Sequence, residues 1–253
     1  MTDKMEYWFS DINQIFRDFD KYTIDAKNKR KRRIFIDNGA DVLLVSHLDT
    51  VQMPALKKQK KGVIYGSGFD DRIGCFLAYT LSRRINVDVL ITDLEEKGNS
   101  TAQHHDIKDY NFVVGLDREG TDVVTYDFYC PELETELEKY FDFGFGSFSD
   151  ICYIAGNAGR FNLGIGHYGS HSTDAMLCLD DMASQVRKFL CFFDANKDRK
   201  FVCEKMSLIN DYGYADYGLC EICDYETANN IYGLYVCRDC FHFMVNEIQF
   251  KER

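Results

Sequence analysis

Long apolar runs are missing from this chain. None approaches the ~18 residues that a membrane-spanning helix requires, so no membrane span is expected. Residues 1–30 are polar and charged, unlike a secretory signal. Positive charge is in short supply too: the formal net charge of −11 argues against a general nucleic-acid binder, though an acidic balance otherwise mostly serves solubility. Proline is scarce, with Pro54 in a loop and Pro131 ahead of a helix. Cysteine is plentiful, but nothing in its pattern suggests a disulfide framework. Cys75, Cys130, Cys152, Cys178, Cys191 and Cys203 are scattered singly, mostly in apolar surroundings where reduced thiols pack as small hydrophobes. The others form two Cys-x-x-Cys pairs near the end. This usage points to a cytosolic protein that holds metal rather than disulfides.

What is present suffices for a large core. With 45% hydrophobic and 15% aromatic residues in 253, the chain allows one large α/β domain, or one such domain with a small appendage. Met5, Trp8, Phe9, Ile12, Ile15, Phe16 and Phe19 recur at helical spacing, which predicts an amphipathic helix over 4–21. The basic run 27–33 reads as a solvated connection into a strand at 34–36, with an anionic partner as the alternative and the lysines of 57–61 as a second patch.

The stretch 42–51, Val-Leu-Leu-Val-Ser-His47-Leu48-Asp49-Thr50-Val51, is an apolar run short enough to be a buried strand, ending in His-x-Asp. An imidazole there can bind metal while a nearby carboxylate orients it. A loop over 52–61 follows, then a helix from Asp71. Strands are predicted at 87–91, 111–116, 122–129, 151–155 and 160–165, and helices over 133–140 and from about Asp180; 141–149 reads as a glycine- and aromatic-rich loop. The second helix should bury Met182, Val186, Phe189, Leu190 and Phe193.

Strands alternating with helices imply an α/β fold with a mainly parallel mixed sheet and helices on both faces. Ligands of such sheets bind beyond the carboxyl ends of the strands. His47, Glu95, Glu96, Asp117 and His171 all fall just past the end of a predicted strand, so these metal-competent groups should converge at one edge. Two histidines and three carboxylates can hold two zinc ions that activate a bridging water. A further carboxylate that is not a ligand must move the water's proton, and adjacent Glu95 and Glu96 suit that division of labour.

His47-Leu-Asp49-Thr-Val, then Gly62-Val-Ile-Tyr-Gly-x-Gly-x-Asp70-Asp71-Arg72-x-Gly74, then Asp93-x-Glu95-Glu96-x-Gly98 resemble the ordered motifs of the co-catalytic di-zinc exopeptidases. That clan includes leucyl and tetrahedral aminopeptidases, peptidase T-like tripeptidases, aminoacylases and succinyl-diaminopimelate desuccinylase. The resemblance covers 47–182 and implies the following roles. His47 and Asp117 are terminal ligands of one zinc, Asp70 is the bridge, and Glu96 and His171 hold the second zinc. Glu95 is the general base and acid, and Asp49 orients His47. Co²⁺ or Mn²⁺ could replace the catalytic zincs. Ser170-His171-Ser172-Thr173-Asp174 is similar to a closing His-Ser-x-x-Glu, with Asp174 in place of Glu. His167 is the rival of His171, and Asp71 that of Asp70. The stretch between Asp117 and His171 reads as ordinary sheet, helix and loop, so the lid or dimerisation domain of many relatives is absent. Substrate choice should then rest on the loops 52–61 and 141–149.

The resemblance implies hydrolysis of an amide bond, most simply by an aminopeptidase acting on short peptides. The alternative is a deacylase of N-acyl amino acids or acyl-peptides, for which Arg72, Arg118 and Arg160 are the candidates to bind a substrate carboxylate. A third reading is a vestigial hydrolase serving as a binding protein. Homo-oligomers fit the resemblance.

Cys220-Glu-Ile-Cys223 and Cys237-Arg-Asp-Cys240 have spacing suited to one tetrahedral structural zinc, in a module similar to a treble clef or zinc ribbon. A hairpin over 231–235 and a helix over 241–250 would complete it. Between the pairs there is no Lys or Arg, which favours a protein partner or a brace over nucleic acid. The expected organisation is a catalytic domain over 1–203, a linker over 204–218 and the four-cysteine zinc module over 219–253.

Overall fold

The computed structural model describes residues 4–205 except 107, 127 and 147, together with the backbone of 218–219, 226–227, 230–231 and 234–235. The chain divides into two compact units, Met1–Lys205 and Met206–Arg253.

In the first unit the strands are β1 (Thr23–Ile24), β2 (Arg33–Ile36), β3 (Val42–His47), β4 (Ala55–Lys60), β5 (Val63–Ser67), β6 (Asp88–Thr92), β7 (Phe112–Arg118), β8 (Val123–Val124), β9 (Phe128–Tyr129), β10 (Gly159–Gly164), β11 (His167–Tyr168), β12 (Ala175–Cys178) and β13 (Glu204–Lys205). The helices are α1 (Ile12–Asp18), α2 (Phe69–Ser82), α3 (Pro131–Leu137) and α4 (Leu179–Asn196).

The main sheet has the order β1-β2-β6-β3-β7-β10-β8. Its centre, β6-β3-β7-β10, is parallel, while β2 and β8 pair antiparallel at the sides. The apolar runs lie there because a parallel strand is covered on both faces and has no solvent side to make polar. Every residue of β3, β6 and β10 is buried. The helix α2 packs on β3, β6 and β7, and α4 lays Phe192 against Phe112 and Phe161. A smaller antiparallel sheet, β11-β12-β5-β4, borders it. The fold class is the expected one, α/β with a mainly parallel mixed sheet. No helix among the described residues is long and apolar enough to cross a membrane.

Several local expectations are corrected. The helix expected over 4–21 is broken into a 3₁₀ turn, Met5–Phe9, and α1. Ser10 is extended, and the Asp11 carboxylate caps the new start by accepting from Asn13 N and Gln14 N. The expected loop 52–61 contains β4, an exposed edge strand. It turns into β5 through Lys61 and Gly62, both left-handed (φ 49° and 77°), as a two-residue hairpin requires. The expected strand at 151–155 is instead a 3₁₀ turn, Asp150–Cys152. The expected strand over 122–129 is two short pieces, β8 and β9. The basic run is solvated only up to Lys31: Arg32 pairs with Asp93 at 2.7 Å and lies over Phe16, and Arg33 pairs with Asp25.

In the second unit, Gly218–Leu219 pairs with Glu226–Thr227, and Asn230–Ile231 pairs with Leu234–Tyr235 as the expected hairpin. Cys220, Cys223, Cys237 and Cys240, and the helix expected over 241–250, lie outside the described residues.

Candidate metal centre

The parallel register brings the expected groups to one edge. His47 is the last residue of β3 and stands beside Thr92 at the end of β6; Asp117 lies near the end of β7. Just beyond β6 the chain turns sharply through Glu95–Lys97, flanked by left-handed Leu94 (φ 67°) and Gly98 (φ 62°). A leucine in that region costs ~1–3 kcal/mol and persists only where its surroundings hold it. Here the Asp49 carboxylate accepts from Glu95 N at 3.1 Å and from Glu96 N at 3.2 Å, clamping the turn to the end of β3.

His47 Nε2 faces Asp70 Oδ1 at 3.2 Å, Asp117 Oδ1 at 3.3 Å and Glu95 Oε2 at 3.7 Å. His171 Nε2 faces Glu96 Oε2 at 3.1 Å and Asp70 Oδ2 at 3.4 Å. Asp70 thus offers one oxygen to each imidazole. The Asp70–Asp71 peptide is cis.

Geometry separates the rivals. Asp71 is fully buried, and both its oxygens are taken by backbone: Oδ2 accepts from His47 N at 3.1 Å and Oδ1 from Gly74 N at 2.9 Å. Gly74 has no room for a side chain, since a Cβ there would lie 2.1 Å from Asp71 Oδ1 and 2.4 Å from the Leu116 carbonyl. Asp71 thus supports the His47 backbone and, with His47 and Asp117, also offers donor atoms within 4.8 Å of one another, while Asp70 is the one that faces both imidazoles. His167 is buried with both ring nitrogens engaged, Nε2 with the Asp117 carbonyl and Nδ1 with Ser170 Oγ. Asp174 is turned outward and pairs with Lys57 at 3.1 Å.

The role expected of Asp49 takes a different form. His47 Nδ1 lies 2.9 Å from the Asp49 backbone carbonyl and 3.6 Å from its carboxylate. A carbonyl only accepts, so Nδ1 carries a hydrogen, and Nε2 is the nitrogen turned towards the carboxylates. The Asp49 carboxylate is spent on the Glu95–Glu96 turn.

Three supports carried no usable signal in the sequence. Asn162, in β10, accepts from Asp117 N at 3.2 Å and donates to Tyr126 Oη at 2.8 Å. A lone amide inside an apolar strand was the one available hint. Asp150 is buried behind the site and bonded to Thr92 Oγ1. Cys75 Sγ donates to the His47 carbonyl.

The candidate arginines are engaged elsewhere. Arg72 donates to the Trp8 and Ser10 carbonyls, Arg118 to Asp122 and the Phe145 carbonyl, and fully buried Arg160 to four backbone carbonyls.

Proton affinities record the crowding. Burial, with Asp117, Asp150 and Asp70 nearby, pushes Glu95 up to about 8. Burial and Asp70 push Glu96 up to about 7, and burial pushes Asp150 up to about 7. Burial opposes charge on His47, yet its hydrogen bonds to Asp117 and Asp70 carry it well above the usual range. The bond to Asp70 raises His171 to about 9. Against burial, the same two histidines hold Asp70 well below other carboxylates.

A divalent cation fits this donor set. Acceptors face one another across two imidazoles, and buried Glu96 Oε1 has no hydrogen-bond partner. Single donor atoms of His47, Asp70 and Glu96 lie within 4.8 Å of one another. So many carboxylates cannot all ionise in so small a space unless positive charge lies among them.

No protein-family model and no curated protein matches the chain. Among solved structures, a tripeptidase from Staphylococcus aureus shares 11% identity at a TM-score of 0.47, over 66% of this chain and 84% of its own. Aminopeptidase PepT from Bacillus cereus shares 13% at 0.42, over 64% and 83%. A TET aminopeptidase from a marine-sediment thaumarchaeon shares 18% at 0.43, over 58% and 53%. Likeness at this level leaves the reading of the site to the side chains themselves.

Proposed function

We propose that this chain is a di-zinc metallohydrolase that cleaves an amide bond, acting as an aminopeptidase on short peptides. The observation that carries the reading is Asp70, whose two oxygens reach His47 on one side and His171 on the other. In this reading His47 and Asp117 would hold one ion and Glu96 and His171 the second, with Asp70 available to both. The bound pair would supply electrophilic activation of a water and of the scissile carbonyl.

The protein's own groups do the rest. Asp49 fixes the tautomer of His47 through its carbonyl and the position of Glu95 through its carboxylate. Glu95 reaches within 3.7 Å of His47 Nε2 without being needed as a ligand, so it takes a proton from the attacking water and delivers it to the leaving amine. The surrounding carboxylates favour a substrate that brings a free ammonium group. A deacylase would need a cation for the substrate carboxylate, and Arg72 and Arg160 are committed to backbone carbonyls.

Glu95→Gln should lower peptide hydrolysis by about 10²–10⁴-fold with zinc content at the site preserved. Unchanged turnover sinks the assignment. Comparing free-amine with N-acylated peptides separates aminopeptidase from deacylase, and a chain that hydrolyses neither is the binding protein of the third reading. Metal analysis adds the C-terminal cysteines: about three zincs per chain are expected if Cys220, Cys223, Cys237 and Cys240 form a structural site.

A further inference from the structure

Away from the metal centre, the two-rung ladder of β9 and β13 places Tyr129 opposite Glu204 and Phe128 opposite Lys205. The next rung in that register sets Cys130 opposite Cys203. Both are buried, 2% and 3% exposed, each thiol shifts the other's proton affinity, and Cys130 Sγ donates at 3.4 Å to the carbonyl of Val202, the residue before Cys203. Cys203 N donates to the Asn157 carbonyl, away from β9, so this is a rung without cross-strand backbone bonds. Such rungs are the narrow ones, with Cα atoms ~4.5 Å apart. A disulfide spans ~4.4–6.8 Å.

The surroundings favour a thiolate. Arg160 is fully buried, lies over the Phe128 ring at 4.2 Å and gives its hydrogens to uncharged carbonyls. Among the described residues no carboxylate lies within ion-pair distance of it, and the groups that sense its charge are thiols, Cys203 foremost. A buried guanidinium without a counterion is costly, but its pull falls on Cys203, which Cys130 and burial together still push up. Cys203 beside it, with help from Leu133 N, holds the Cys130 thiol at about 7 against burial, and the same pairing pushes Cys203 up, so Cys130 is the one of the two that ionises.

We propose that Cys130 and Cys203 are an oxidation site at which hydrogen peroxide forms a reversible cross-strand disulfide. The Cys130 thiolate attacks the peroxide oxygen, the O–O bond breaks, and Cys130 becomes a sulfenic acid as one water leaves. The Cys203 sulfur then attacks the Cys130 sulfur and expels the second water. In sum, two thiols and one peroxide give one disulfide and two waters. Opening of the two-rung ladder beside half-exposed Val202 admits the oxidant. The bond would tie β13, the last strand of the first unit, to the core.

Full-length protein is reduced, exposed to hydrogen peroxide, capped at its free thiols and digested without reductant. The expected product is a peptide joining Cys130 to Cys203, about 2 Da lighter than its reduced parts and cleaved by dithiothreitol. The oxidised protein should also melt at a higher temperature than the reduced form. Cys203→Ser should stop at a sulfenic acid on Cys130 that dimedone traps. Free thiols at both positions after the exposed Cys191 has reacted would overturn the proposal, as would Cys130 paired with Cys152. The mapping uses the unaltered protein, so a folding defect in the variant leaves it decisive.

Discussion

The two imidazoles of the metal centre are held in opposite ways. His47 ends a central strand with its side chain 1% exposed, its backbone N–H on Asp71, its carbonyl taking the Cys75 thiol and its Nδ1 on the Asp49 carbonyl. His171 has a side chain 55% exposed and a left-handed backbone (φ 65°), on a loop tethered by Lys57 and by a Glu119 bond to Ser170 N. One half of the site is built into the sheet, and the other is leaned against it. On the proposed two-ion reading, the buried His47 half offers a more fixed donor set than the exposed His171 half, so the two ions are expected to differ in affinity.

The largest break in this asymmetry comes from removing what the halves share. Asp70→Ala should empty both, lowering kcat/KM by about a thousandfold or more, ~4 kcal/mol in transition-state stabilisation. Zinc content measured beside activity checks it, and an intact pair of ions would refute the bridging role. Next is His171→Ala, expected to lose one ion and keep the other, with activity down roughly a hundredfold; titration with a chelator should then show one tight class instead of a weak and a tight one. If both ions leave together, the halves are not independent. Smallest is Lys57→Ala, which loosens the His171 loop through an exposed pair and should change KM by less than about threefold.

The central strands and the polar groups that gather at their ends were legible in the sequence pattern. Apolar runs buried on both faces announce parallel strands, and polar residues that end them announce the crevice. What escaped were features set by partners distant in sequence. Strand β4, Ala-Leu-Lys-Lys-Gln-Lys, is an exposed edge whose pairing with β5 replaces any alternation of its own. The N-terminal helix breaks where the Arg72 guanidinium draws the Trp8 and Ser10 carbonyls towards it. Ile151 and Ile154 looked like strand residues, yet they face inward from a turn whose carbonyls satisfy Arg160. In the site, the side chains that face His47 and His171 could be named from motifs, but Asn162 and Asp150 could not. Their work is defined by who sits across from them.

The contact between Asp71 and Gly74 sets a rule for anyone rewriting this sequence. Shortening Asp71 would clear one of the two obstacles to a side chain at position 74 and leave the other, the Leu116 backbone carbonyl 2.4 Å from a Cβ there, so the glycine stays closed whatever stands at position 71. The shorter residue would also give up the carboxylate that takes the Gly74 and His47 N–H groups, so neither position can be traded against the other.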